Sequence, residues 1–220
     1  FNINVENEGL IAVLGWPGQW AANFIRDDQN TLTLQAGQEL THFKLLPGEE
    51  VRSPLVVLQF RNQGDWMDGQ NKWRRWMKAY SMPKPGGKLQ PPMLLASSSR
   101  AYIEMHGANT ENQIMFIQRY LDEDMKLDYW WMDAGWYECG DPPSWPVVGT
   151  WEVDRKRFPQ GFKPISDFAH KNGVKILVWF EPSRVHAGTW IAEKHPEWVY
   201  GGAGGGLLRL DNPEAMDWLV

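Results

Sequence analysis

The sequence predicts a β-sandwich portion followed by an α/β portion built on a parallel sheet. Three observations predict it. Short apolar runs punctuated by Gly and Pro fill residues 1–64, the rhythm of antiparallel strands. Residues 82–92, MPKPGGKLQPP, are rich in Pro and Gly and form the best boundary in the chain. After them, strand and helix patterns alternate as strand, helix, strand, helix, strand, the order of a parallel sheet with crossovers. Residues 1–82 are therefore read as a β domain ending in a short linking helix, and residues 83–220 as an α/β domain.

The elements follow in order. Strands are expected at residues 10–14, 31–34, 43–45 and 54–60, with WPGQW (16–20) as a turn between two rings that pack a sandwich edge. Trp73, Trp76, Met77 and Tyr80 repeat at i, i+3, i+4 and i+7, one face of a short helix serving packing. Residues 93–96 form a short strand ending in Ser97, Ser98 and Ser99. Thr110 to Gln113 reads as a capping box opening a helix with Ile114, Ile117 and Leu121 on one face.

Residues 127–137, LDYWWMDAGWY, organise the remainder. The run from Tyr129 to Met132 reads as a strand buried on both faces, ending at Asp133 and turned by Gly135. A long loop (138–157) leads to a helix from about Pro164, with Ile165, Phe168 and Ala169 inward and Gly173 as its stop. Residues 174–180, VKILVWF, are expected as a third buried strand, ending at Glu181. A short helix spans 189–194. Gly201 to Gly206 is read as a flexible loop, because it does not link a strand to a helix N-terminus as a phosphate cradle would. Asn212 caps a last helix with Pro213 in its first turn.

Composition narrows the function. The chain has 220 residues, 43% hydrophobic and 22% charged, as a globular protein does. A net charge of −5 with no basic block argues against a nucleic-acid or anionic-membrane surface. No apolar stretch is long enough to span a bilayer as a helix. The single cysteine, Cys139, cannot form an internal disulfide, and nothing marks the compartment. The chain opens at Phe1 in mid-pattern and reads as a piece of something longer. His106 and His186 have no partner spacing for a metal site, so no metal or other cofactor is expected. Fourteen tryptophans stand out, as platforms for a ligand or as core filler.

Asp133 and Glu181 both sit at carboxyl ends of predicted strands. That rim carries the chemistry in a (β/α)₈ barrel and in a doubly wound sheet alike. A strand-end acid beside Trp136 and Tyr137 suits a sugar, whose hydroxyls donate to carboxylates and whose C–H face packs on rings. Its bland alternative is an Asp that caps the next turn.

Four further segments follow in order: GTWEVD (149–154), RFPQG (157–161), WFEP (179–182) and HPEW (195–198). Together with WMDAGW (131–136), this ordered set resembles the α-galactosidases of glycoside hydrolase family 36. Upstream, WPGQW and LLPGEE (45–50) resemble the end of that family's N-terminal β-domain. The resemblance implies a β-sandwich followed by about three βα units of a (β/α)₈ (TIM) barrel. It implies retaining cleavage of terminal α-linked galactose, with an oligosaccharide or glycoside as substrate. The family's nucleophile and acid/base are two Asp residues that would lie beyond Val220, so no catalytic carboxylate is assigned here.

The substrate-binding candidates carried over are Asp133, which matches the motif's second Asp, and Trp151, which matches the loop tryptophan covering the sugar. Trp136 is placed under the site or in contact with it. Glu181 is expected to orient other groups, with direct contact to the sugar as the second reading. Arg184 is expected in solvent or paired with a carboxylate. Met132 stands where the family has its first Asp, Ser183-Arg184 replaces a Glu-Met, and the 201–206 segment lacks the family's Arg; these departures bear on which sugar is preferred. Two other classes stay open: a raffinose-synthase-like transferase, told apart by its product, and a sugar-binding relic without catalysis. Homo-oligomerisation is left open.

Overall fold

The computed structural model describes residues 1–99, 106–139 and 147–220. They form two compact units, Phe1–Gln90 and Pro91–Val220.

In the first unit, β1 (Asn2–Val5), β2 (Glu8–Gly15) and β5 (Leu55–Arg61) make an antiparallel sheet in the order β1-β2-β5. β3 (Trp20–Arg26) and β4 (Leu32–Gln38) make a separate hairpin. Asp27 shapes its turn by accepting from the backbone N–H of Gln29 and Thr31 at 2.9 and 2.8 Å. Residues of both sheets line a shared apolar space, with Leu10 and Phe60 on one side and Leu32 and Leu34 on the other. Residues 43–45 are not a strand. The backbone N–H of Leu46 is instead taken by the Glu49 carboxylate at 2.8 Å, and that of Glu49 by the Leu46 carbonyl, closing a turn around Pro47-Gly48.

Helix α1 (Trp66–Trp76) starts earlier than its aromatic stripe, because Asp65 and Asp68 form a reciprocal capping box. Trp73 and Trp76 stack at 5.0 Å, and the π-helical turn that follows (Met77–Ser81) leaves Tyr80 exposed at the end of the stripe.

In the second unit, β6 (Leu95–Ala96), β7 (Tyr129–Met132) and β8 (Lys175–Val178) form a parallel sheet in sequential order, with Trp130 beside Ile176 and Met132 beside Val178. Helices α2 (Thr110–Asp122) and α3 (Lys163–Lys171) are the crossovers. Trp130 and Met132 are closed to solvent and pack in one core with Ile117 of α2 and with Ile165 and Ala169 of α3. The other face differs from expectation. Tyr129 and Trp131 are half-buried, while Lys175 and Leu177 are exposed. β7 is thus fully buried on its helix face alone and β8 partly buried there, an alternation in place of burial on both faces.

The capping of α2 is shifted by one residue. Asn109 is the N-cap and Asn112 its reciprocal partner. Gln113 is fully buried instead, accepting from Trp130 Nε1 at 3.0 Å and donating to Ser98 Oγ at 2.8 Å. A buried indole N–H needs such an acceptor, which draws the glutamine inward.

Beyond β8 come β9 (Arg184–His186), α4 (Trp190–Lys194), β10 (Gly205–Leu207) and α5 (Pro213–Leu219), around a second core of Val185, Ile191, Trp198, Val199, Leu208 and Ala215. The Gly-rich 201–206 segment is not a free loop. It turns and pairs antiparallel with β9. At Gly205 (φ +82°) a Cβ would stand 2.7 Å from the Val185 carbonyl and the Ala187 N–H, so only glycine lets the strands close. No helix among the described residues is long and apolar enough to cross a membrane.

Candidate functional site

The site is built at the carboxyl end of β7. Asp133 directly follows the strand, is half-buried, and accepts from the N–H of Ala134 at 2.8 Å with one oxygen. The chain then turns through Gly135 (φ +95°). Met132, one residue earlier, points into the helix-side core, so the change from the family's first Asp lies beneath the rim in this structure.

Trp151 comes from the loop after β7. It is a tryptophan in the left-handed region, φ +60°, an unfavourable conformation for a bulky side chain. Rings hold it there. Tyr137, Phe180, Trp179 and Trp136 surround it at centroid distances of 5.0, 5.4, 5.9 and 6.1 Å. Trp136 joins the turn after Asp133 to this cluster, and its indole N–H donates to the Trp179 carbonyl at 2.9 Å. Trp136 is only 2% exposed and so has no free face for a ligand; of the two roles considered for it, packing under the site is the one its burial fits.

Glu181 and Arg184, singled out separately from the sequence, pair with each other at 2.5 Å, spaced i, i+3 after β8. Both side chains keep about a third of their surface in water (31% and 40%), so the pair orients rather than strongly stabilises. Tyr137 lies close enough to feel both charges, and burial pushes its phenol well above the ordinary range. Its hydroxyl is buried with no hydrogen-bond partner among the described residues. Burial likewise pushes the Cys139 thiol up to about 11.

Arg157 is the residue that sequence reading missed. Its side chain is 14% exposed, and its acceptors among the described residues include Asp154 Oδ2 at 2.7 Å and the carbonyls of Gly135 at 2.6 Å, Tyr137 at 3.0 Å and Ala108 at 3.3 Å. It ties the turn after Asp133 to the loop that carries Trp151. Burial pushes Asp154 up, but the Arg157 hydrogen bond and the Lys156 N–H outweigh it and hold the carboxyl below its ordinary value. The signal in the sequence was the RFPQG segment itself, read there only as part of a resemblance.

Two clefts meet at Trp151. One is lined with Phe180, Pro182, Trp218 and Leu219, and the other with Glu138, Thr150, Glu152, Thr189 and Trp190. His195 is stacked on Trp198 at 3.8 Å and paired with Glu197. Among the described residues no group of three His, Cys, Asp or Glu could hold a metal ion.

Comparison with known proteins bears on this geometry. The chain is 24% identical over 190 residues to α-galactosidase Mel36A of Lactobacillus acidophilus, covering 84% of this chain and 25% of that protein. It is 24% identical over 202 residues to α-galactosidase AgaA of Geobacillus stearothermophilus, covering 88% and 26%. It therefore spans about a quarter of the length of these relatives. The crystal structure of that AgaA superposes with a TM-score of 0.77 at 19% identity, over 97% of this chain and 30% of that one. A variant of the same enzyme in complex with stachyose gives 0.74 at 18%. The fold is thus that of these glycoside hydrolase family 36 structures. The melibiase family model matches residues 52–211, most of the chain, and the protein belongs to the melibiase family.

Proposed function

We propose that this chain is the substrate-gripping part of a retaining α-glycosidase that releases terminal α-linked galactose, or a closely related sugar, from oligosaccharides and glycosides. In this reading residues 1–82 are the end of a β-sandwich with a linking helix, and residues 83–220 are the first three βα units of a (β/α)₈ barrel. The observation that carries it is Asp133 at the carboxyl tip of a parallel strand, with Trp151 held on the ring cluster of the adjoining turn. In barrels of this kind that tip is where substrates bind. Homology to named α-galactosidases supports the substrate class.

The residues divide the work by their chemistry. Asp133 has one oxygen engaged by Ala134 and can accept from a sugar hydroxyl with the other. Trp151 covers the apolar face of the ring. Glu181 and Arg184 brace one another and fix the edge of the site. Trp136 supports Trp151 from below. Retaining chemistry needs two further carboxyl groups about 5–5.5 Å apart, one to attack the anomeric carbon and one to protonate the leaving oxygen. The family resemblance assigns both to sequence beyond Val220.

The test uses the full-length protein on methyl and aryl α- and β-glycosides, with the first-formed anomer read by NMR. Release of α-galactose from α-galactosides is expected. Cleavage of β-glycosides alone, or none at all, overturns the reading. Asp133→Ala is expected to lower kcat/KM about a hundredfold, the loss of about 3 kcal/mol of binding to the transition state. Unchanged kinetics would remove Asp133 from the site.

A further inference from the structure

Neither arm of the proposed site is held by its own backbone. Asp133 is followed two residues on by Gly135 at φ +95°, and glycine raises no steric barrier of its own against swinging elsewhere. Asp133 Oδ1 accepts from the Ala134 N–H at 2.8 Å, so a tilt of this turn carries the carboxylate with it. Trp151 stands at φ +60°, a conformation that costs energy and persists only where its surroundings impose it. What fixes the carboxylate relative to the ring must therefore come from outside both segments.

Arg157 reaches both. Its Nη2 donates to the Gly135 carbonyl at 2.6 Å and to the Tyr137 carbonyl at 3.0 Å, gripping the chain on either side of Trp136. The Cys139 thiol lies against the same two carbonyl oxygens, at 3.7 and 3.2 Å. On the other arm, Arg157 Nε donates to Asp154 Oδ2 at 2.7 Å. The Asp154 N–H donates back across to the Trp136 carbonyl at 3.2 Å, beside the bond from the Glu138 N–H to the Glu152 carbonyl at 3.0 Å. Nη1 of the same guanidinium donates to the Ala108 carbonyl at 3.3 Å, between β6 and α2. An ion pair alone would need only the Asp154 contact. The bonds to the Gly135, Tyr137 and Ala108 carbonyls neutralise no charge; they fix backbone positions, for which a rigid planar fork is suited. We propose that Arg157 is a positioning residue of the glycosidase site: by holding the turn through Gly135 and Tyr137 it aims the Asp133 carboxylate at the sugar that Trp151 covers. The proposal rests on the glycosidase reading, and it adds to the clamp's stabilising contacts a role in the reaction, exerted through Asp133.

A double-mutant cycle on the full-length protein tests this, with methyl α-galactoside as substrate. Arg157→Lys keeps the charge and loses the fork. It is expected to lower kcat/KM about tenfold, less than the roughly hundredfold that a 1 Å misplacement can cost. In the Asp133→Ala background, where no carboxylate is left to aim, the same change is expected to cost less than about twofold. Loss of folded protein would lower the rate by the same factor in both backgrounds. Equal losses therefore overturn the proposal, as does no loss with Asp133 present. If Arg157→Lys does not fold, Asp154→Asn takes its place, since it loosens the guanidinium from one side. About a threefold loss is then expected with Asp133 present and none without it, and the same two outcomes overturn the proposal. If the wild type cleaves no α-galactoside, the glycosidase reading fails, and positioning is judged by galactose titration of tryptophan fluorescence. Binding that the variant weakens only when Asp133 is present supports it. Binding weakened equally in both backgrounds, binding left unchanged, or no binding overturns it.

Discussion

Replacing Arg157 should damage both stability and the candidate site, and the structure allows the size to be worked out. Among the described residues the guanidinium makes a charge-assisted bond to Asp154 and bonds to the backbone carbonyls of Gly135, Tyr137 and Ala108, from a side chain only 14% exposed. Each such bond to a charged group contributes about 1.5–3 kcal/mol, but the bonds are not additive. Breaking a largely buried pair by removing one partner costs about 3–5 kcal/mol, because the other partner is left behind. We take about 3–5 kcal/mol for Arg157→Ala. Arg157→Lys keeps the charge but cannot fork to Gly135 and Tyr137 together, so it should recover less than half of that.

The pH dependence provides a second measure. Asp154 titrates below its ordinary 3.8 when folded, so its pairing stabilises fully above that pH and fades as pH falls through the lower folded value. The gap between wild type and Asp154→Asn should therefore be widest above about pH 5 and close on acidification. The assay is urea unfolding of the full-length protein at several pH values, with methyl α-galactoside kinetics on the same samples. An Arg157→Ala protein within 0.5 kcal/mol of wild type (on the order of a neutral surface change), or one matched by Arg157→Lys, would refute the clamp.

Gly205→Ala should cost about 1–3 kcal/mol of stability, from its left-handed backbone and a Cβ 2.7 Å from two main-chain atoms, read as a lower urea midpoint; no shift would mean the β9–β10 hairpin opens freely. Met132→Asp, which would restore the family's residue, should instead lower stability by several kcal/mol by burying a lone carboxylate among Ile117, Ile165 and Ala169, as thermal melting will show; an unchanged melting temperature would place that side chain at the rim. Cys139 should resist thiol reagents at pH 8 until the protein unfolds, because burial raises its pKa from 9.0 to about 11; its contribution to stability is complete below pH 9.0 and lost as pH rises toward 11, and fast labelling of the native protein would contradict this.

Periodicity and punctuation made the parallel sheet and its crossovers readable. The apolar spacing of Ile114, Ile117 and Leu121, the Gly173 stop and the Asn212-Pro213 start all act within a few residues of themselves, and sequence displays local rules directly. What escaped depends on partners far along the chain. The 201–206 glycines look like slack until β9 is beside them. Arg157 bonds backbone carbonyls, which leave no mark in sequence. Gln113 completed a plausible capping box, yet a buried indole at Trp130 claimed it. At the rim, Asp133 and Trp151 were legible as residue types in a familiar order, whereas the burial of Trp136 was not, since neighbouring rings read alike until their packing is known.

Trp151 has a left-handed backbone, and the rings of Trp136, Tyr137, Trp179 and Phe180 pack around its side chain while main-chain bonds from Glu138 to Glu152 and from Asp154 to Trp136 anchor the residues that follow it. For anyone re-engineering the proposed site, that makes those four positions poor targets for enlarging it. Each ring pared away would loosen a sprung segment, and the loop would relax away from the position that the proposed sugar site requires. Diversity is better introduced at Glu138, Glu152 and Trp190, which border Trp151 without clamping it.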